Sequence, residues 1–187
     1  MKTKFILHGG FTPKVLQEDD KFFQEILRDT PRDVEILLVY FAKEIDRIPK
    51  NKEEDITQFE KNKGNKSLSF EVATEELFLT QVSESDIVYL HGGMTSKISN
   101  ILKKFSDLKN SFEGKIIAAD SAGVNALATF SYSQNADGIL EGVGVIPYKT
   151  MCHYSEQFKN KVPELNKYAP DSELLLLSEY QYKVFEI

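Results

Sequence analysis

The residues of this chain best suited to chemistry are one serine, three histidines and two Gly-Gly turns. The serine is Ser121, within Ile116-Ile117-Ala118-Ala119-Asp120-Ser121-Ala122-Gly123-Val124-Asn125-Ala126. An apolar run leads directly into a serine flanked by small residues, and an apolar helical pattern follows. This is the setting of a nucleophile elbow, a sharp strand-to-helix turn that presents the serine oxygen. Small neighbours suit it because strand and helix approach closely there. Ala119 stands where the usual Gly-x-Ser-x-Gly pattern has its first glycine. A serine in this place also serves as an ordinary helix N-cap, worth about 0.5–2 kcal/mol. The chemistry on offer is attack of a hydroxyl on an acyl carbon. It needs a base, an orienting acid and donors for an oxyanion.

Each part has candidates. The histidines are His8, His91 and His153. His8 and His91 each end an apolar run just before Gly-Gly. His153 follows the serine in the chain, beyond a strand expected at Gly144 to Ile146, and is the preferred base. Gly92-Gly93 offers backbone N–H groups at a strand end, and the Ala122 N–H would complete an oxyanion hole. Glycines there equally suit a turn of positive φ. For the acid the residues alone leave three choices: Glu179 after Leu174 to Leu177, Asp120 beside the serine, and Asp137 in the polar stretch Ser131 to Gly138. Cys152 neighbours the presumed base but lies on no elbow, so a thiol nucleophile is not expected. No paired-cysteine or His-x-x-x-His spacing points to a metal. Gly142-Val-Gly144 lacks the third glycine of a dinucleotide fingerprint, so no cofactor is expected.

These residues must be positioned by the elements around them. Short apolar runs at Phe5 to Leu7, Asp33 to Ala42, Leu68 to Val72, Asp86 to Leu90, Lys115 to Ala119 and Leu174 to Leu177 read as strands. Glu18 to Arg28, Glu53 to Lys61 and Ser96 to Leu108 read as helices, as does the segment from Ala122 to about Phe130. Asn62 to Lys66 is a loop, and an amphipathic lysine-rich stretch follows His153. Strands alternating with helices predict an α/β fold, a three-layer α/β/α sandwich around a mostly parallel sheet. Ligands bind such sheets beyond the carboxyl ends of the strands. Gly9-Gly10, Gly92-Gly93 and Asp120-Ser121 all fall at such ends, so one crevice is expected to gather them.

With 187 residues the chain is read as a single domain spanning 1–187. It is large enough to bury a core without disulfides or structural metal. Its one cysteine excludes an internal disulfide framework and fits a reducing compartment. The net charge of −6 argues against nucleic acid as a partner. No apolar run approaches the roughly 20 residues of a membrane span, and the opening Met1-Lys2-Thr3-Lys4 leads straight into a strand. The expected location is therefore cytoplasmic. Only three of the 23 basic residues are arginine, and none follows Arg47.

Taken together, these motifs resemble the peptidase E-type serine peptidases, which include aspartyl dipeptidases and cyanophycinases and share the class I glutamine amidotransferase-like fold, a flavodoxin-like arrangement. The matching pieces are Tyr89-Leu-His-Gly-Gly-Met-Thr95, Ala119-Asp-Ser-Ala-Gly-Val-Asn125, Ile146-Pro through Cys152-His-Tyr154, and Leu177-Ser-Glu179. They cover most of the chain in the family's order. Ser-Ala-Gly-x-Asn with a later histidine is the specific part. Ala119 and Met94 depart from the family's pattern.

The resemblance implies a Ser121–His153–Glu179 triad, with Gly93 and Ala122 as oxyanion donors. It implies hydrolysis of small peptides through an acyl-enzyme. Serine in place of the amidotransferase cysteine argues against glutamine amide transfer. Partners would be a small peptide substrate and, as a candidate, a second copy of the chain. Aspartyl dipeptidases of the family are understood to use an arginine beyond the histidine. Here no arginine follows Arg47, the nearby cations are Lys149, Lys159, Lys161 and Lys167, and lysine lacks the bidentate fork, so a weak preference for aspartate is expected. Two other readings stand beside this one. Met94 and the short stretch after Glu179 would suit a catalytically inactive binding module of the same fold. An esterase on a related elbow fold is the other.

Overall fold

The computed structural model describes residues 2–10 and 17–187. Among the described residues, ten strands form two sheets. The larger has six strands in the order β10-β1-β5-β4-β2-β3: β1 (Lys4–His8), β2 (Asp33–Val39), β3 (Ser67–Val72), β4 (Ile87–Leu90), β5 (Ile116–Asp120) and β10 (Tyr182–Glu186). All neighbours are parallel except β10, which runs antiparallel along β1. The smaller sheet has the order β7-β6-β8-β9, built from β6 (Phe130–Ser133), β7 (Gly138–Glu141), β8 (Tyr148–Cys152) and β9 (Glu173–Leu177).

The near-continuous apolar character of the larger sheet follows from burial on both faces. Side chains alternate across the pleat, so Phe5, Leu7, Leu37, Val39, Val88, Leu90 and Ile117 enter one core while Ile6, Ile36, Leu38, Ile87 and Tyr89 enter another. Helix α1 (Asp20–Leu27) covers the second core with Phe22, Phe23 and Ile26, and α2 (Ile48–Asn62) adds Phe59. The first core is covered by α3 (Phe78–Glu84), α4 (Thr95–Leu102), α5 (Leu108–Ser111) and α6 (Ala122–Leu127). Each of these fully buried aromatic or aliphatic side chains contributes about 1.5–3 kcal/mol. A third, small core of Tyr132, Met151 and Leu165 underlies the four-stranded sheet, closed by α7 (Val162–Leu165).

Several elements differ from the sequence reading. The strand before His153 is Tyr148–Cys152, not Gly144 to Ile146. Its polar members Lys149 and Thr150 are nonetheless buried, Thr150 Oγ1 donating to Asn125 Oδ1 at 2.8 Å. The helix after Ser121 stops at Leu127, because the chain turns into β6 rather than continuing to Phe130. The helix expected over Ser96 to Leu108 ends at Leu102, and Phe105 folds back 5.1 Å from the Phe78 ring. Beyond Leu177 the chain closes the larger sheet as β10, with Phe185 stacked 5.3 Å from Phe5. Among the described residues no helix is long and apolar enough to cross a membrane.

Candidate active site

Strands β1, β5 and β4 are consecutive neighbours, with His8 opposite Asp120 and Leu90 opposite Ala119 in register. The turns that follow them therefore lie side by side. Strand β5 ends at Asp120, Ser121 forms the junction, and α6 begins at Ala122. Ser121 has φ 46° and ψ −102°, a conformation that a side-chain-bearing residue adopts at a cost of order 1–3 kcal/mol. Its hydroxyl makes no helix-capping hydrogen bond. Instead, Ser121 Oγ lies 2.9 Å from His153 Nε2. His153 Nδ1 lies 3.2 Å from Glu179 Oε1. In the neutral ring one nitrogen donates and the other accepts. With the carboxylate as acceptor, Nδ1 carries the proton and Nε2 is left to accept from the serine hydroxyl.

Of the three carboxylates weighed from the sequence, Glu179 is the one on the His153 ring. Asp137 accepts instead from Tyr132 OH at 2.6 Å and from Lys161 Nζ at 3.0 Å. Asp120 makes no contact with the His153 ring; its Oδ1 lies 3.6 Å from His8 Nδ1. Neither other histidine reaches the serine. His8 is fully buried, with Nε2 3.7 Å from Asp19 Oδ1. His91 lies with Nδ1 3.0 Å from the Gly92 carbonyl oxygen and Nε2 3.5 Å from Asp55 Oδ2. Burial holds the His91 pKa below its ordinary value, so the ring is neutral. Burial, reinforced by Asp120, pushes the Cys152 thiol well above its usual range, which keeps it a thiol and not a nucleophile.

The Gly92-Gly93 turn follows β4. Gly93 has φ 152°, and a Cβ on it would stand 2.5 Å from the Ala42 carbonyl oxygen, so only glycine lets this backbone lie against that loop. The turn is tied there by the Met94 N–H donating to the same oxygen at 2.9 Å. Ala122 is the first residue of its helix, where N–H groups have no intrahelical acceptor.

Ser121 and His153 open onto a cavity of about 830 Å³, whose lining also includes Asp19, Lys43 and Asp55. Its cations are Lys43, Lys50 and Lys61, from the segment before and within α2. This corrects the expectation for Lys149, Lys159, Lys161 and Lys167, none of which lines it. Burial lowers the Lys43 pKa and pushes Asp55 well above the usual carboxylate range. Among the described residues no group of three or more His, Cys, Asp or Glu is arranged to hold a metal ion. The sequence reading missed Lys43, Gln134 and Asn135 as parts of this cavity. Gly10 belongs to the Gly9-Gly10 turn that the sequence places at the crevice.

Asp19 carries a measurable consequence. Burial, with smaller additions from Asp120, Glu18 and Asp20, raises its pKa from 3.8 to about 7, while His8 opposes the rise. The folded state then keeps a proton that the unfolded chain releases between those values. Stability from this group is full below pH 3.8 and is lost as pH rises towards 7. Asp19→Asn should match the wild type at pH 4 and melt at a higher temperature at pH 8. Thermal denaturation across that range checks it. An unchanged pH slope in the variant would contradict the assignment.

Neither a protein-family model nor a curated protein matches the sequence. Solved structures do. A peptidase from an acI-B1 Actinobacterium superposes with a TM-score of 0.72 at 19% identity, covering 99% of this chain and 84% of that one. A candidate peptidase E protein from Listeria monocytogenes EGD-e superposes with a TM-score of 0.67 at 13% identity, covering 100% and 98%. The fold is the one these peptidases share. The mixed α/β architecture with two mostly parallel sheets is thus common to all three chains.

Proposed function

We propose that this protein is a serine peptidase acting on small peptides through an acyl-enzyme. The observation that carries the reading is the unbroken hydrogen-bonded chain Ser121–His153–Glu179 at a strained strand-to-helix junction. The shared fold with two peptidases supports it. In the cycle, His153 Nε2 takes the proton of Ser121 Oγ as the oxygen attacks the peptide carbonyl. Glu179 holds Nδ1–H and stabilises the imidazolium. The N–H groups of Gly93 and Ala122 receive the oxyanion, an interaction worth about 10²–10³ in rate per donor. The protonated ring then gives its proton to the leaving amine. Water, deprotonated by the same ring, releases the acyl group and restores the serine. The cavity has the volume for a short peptide rather than a folded protein.

A fluorophosphonate probe tests this directly. The wild type should gain one phosphonyl adduct, mapped to Ser121 by peptide mass analysis. A well-folded sample that stays unlabelled would favour the inactive binding module instead. Turnover of esters without any cleavage of peptide bonds would favour the esterase.

A further inference from the structure

The parts of this site are carried by two different sheets. Ser121 and the Gly92-Gly93 turn extend the six-stranded sheet, while His153 and Glu179 follow β8 and β9 of the four-stranded one. Acyl transfer tolerates little drift between them, since misplacing a reacting group by about 1 Å costs roughly 10²-fold in rate. Besides the His8-Gly9 backbone, which accepts from the N–H groups of both Ser121 and His153, a short hairpin touches both sets. The β6–β7 hairpin turns at residues 134–137, and its tip carries two carboxamides in succession. Gln134 Nε2 donates to the His153 carbonyl oxygen at 3.0 Å and to that of Cys152 at 3.4 Å. Asn135 Nδ2 donates to the Gly93 carbonyl oxygen at 3.3 Å.

His153 needs such a hold. Its φ of 52° is a conformation that persists only where the surroundings over-determine it. Its N–H is fixed on the Gly9 carbonyl oxygen at 2.8 Å, and the Gln134 amide fixes the other side of the same residue. Asn135 fixes the carbonyl of the residue whose N–H faces the developing oxyanion. The hairpin tip is in turn anchored by two further side chains. Tyr132 OH and Lys161 Nζ both donate to Asp137 Oδ1, and Tyr132 is buried in the third core.

We propose that Gln134 and Asn135 are positioning residues for acyl transfer, a brace on one hairpin that keeps the His153 and Gly93 peptides in register across the two sheets. The proposal rests on the reading of Ser121, His153 and Gly93 given above. Its test is the labelling rate of the full chain by a fluorophosphonate, with the saturating rate kinact separated from the half-saturating concentration KI. Gln134→Met keeps the side chain's length and removes its donors. Asn135→Ala removes a donor at an exposed position, where nothing buried is lost.

Each variant should lower kinact about ten- to hundredfold, with KI within about twofold of the wild type and an almost unchanged melting temperature. A raised KI at unchanged kinact would make the pair substrate contacts and overturn the brace. So would wild-type kinetics in both variants while Ser121→Ala stays unlabelled. A wild type that fails to label would overturn the reading of Ser121 itself, and the brace with it.

Discussion

Ser121→Ala should lose peptide hydrolysis by on the order of 10⁶ in kcat, the usual consequence of deleting the nucleophile of a serine hydrolase. The fold should hardly notice. A serine at a helix start suggests a lost N-cap on mutation, about 0.5–2 kcal/mol, but here the hydroxyl caps nothing and its hydrogen bond goes to His153. Alanine inherits the same positive φ, so the strain at the junction is common to both proteins. The expected result is a variant with the wild-type melting temperature, no detectable turnover of a dipeptide panel and no fluorophosphonate adduct. Retained turnover would mean that another group performs the attack. Cys152 would be a poor choice for that group, because burial keeps it a thiol and it has no place at the junction.

Much of this site was legible in the sequence, and the reason is local. The Ser121 junction is a contiguous pattern of apolar strand, small residues and helix. The adjacency of the β1, β4 and β5 turns follows from how parallel sheets gather their carboxyl ends. What stayed hidden depends on distance in space. Strand β8 carries Tyr148, Lys149 and Thr150, whose side chains show no apolar strand run, so the strand was expected at Gly144 to Ile146 instead; yet β8 lies between β6 and β9 and all five of its residues are buried. The pairing partner supplies what the side chains do not advertise. The carboxyl on His153 was an open choice for a similar reason. Glu179 is brought to the ring by the turn after β9, where the Tyr180 N–H donates to the Gly10 carbonyl oxygen at 2.9 Å and the Gly9 N–H to that of Gln181 at 2.8 Å. No pattern within residues 174–181 encodes that docking. Gln134 and Asn135 lie unremarked in the polar stretch Ser131 to Gly138, because their hydrogen bonds go to carbonyls 19 and 42 positions away along the chain.

Gly10→Ala should separate placement of the base from stability of the fold. Gly10 has φ 107°, and a Cβ there would stand 2.1 Å from His153 Cε1 and 2.3 Å from Nε2. Something must move. The Gly10 backbone is held on both sides, its N–H donating to His8 Nδ1 at 3.2 Å and its carbonyl accepting from Tyr180. The imidazole is the softer party, with about a third of its side chain exposed (31%). It is therefore the ring that swings, breaking the 2.9 Å contact to Ser121. Losing the general base in this way should lower kcat by about 10²–10⁴-fold, with KM little altered because the rest of the cavity's lining is untouched.

The strain of alanine at positive φ also lowers stability by about 1–2 kcal/mol, so a control is needed that carries that strain alone. Gly64 provides it, with φ 59° and no atom within 4 Å of an added Cβ. Gly64→Ala should lower the melting temperature to a similar degree and leave kcat at the wild-type value. If Gly10→Ala and Gly64→Ala lose stability alike but both keep full activity, His153 is not the base that the geometry around Ser121 makes it.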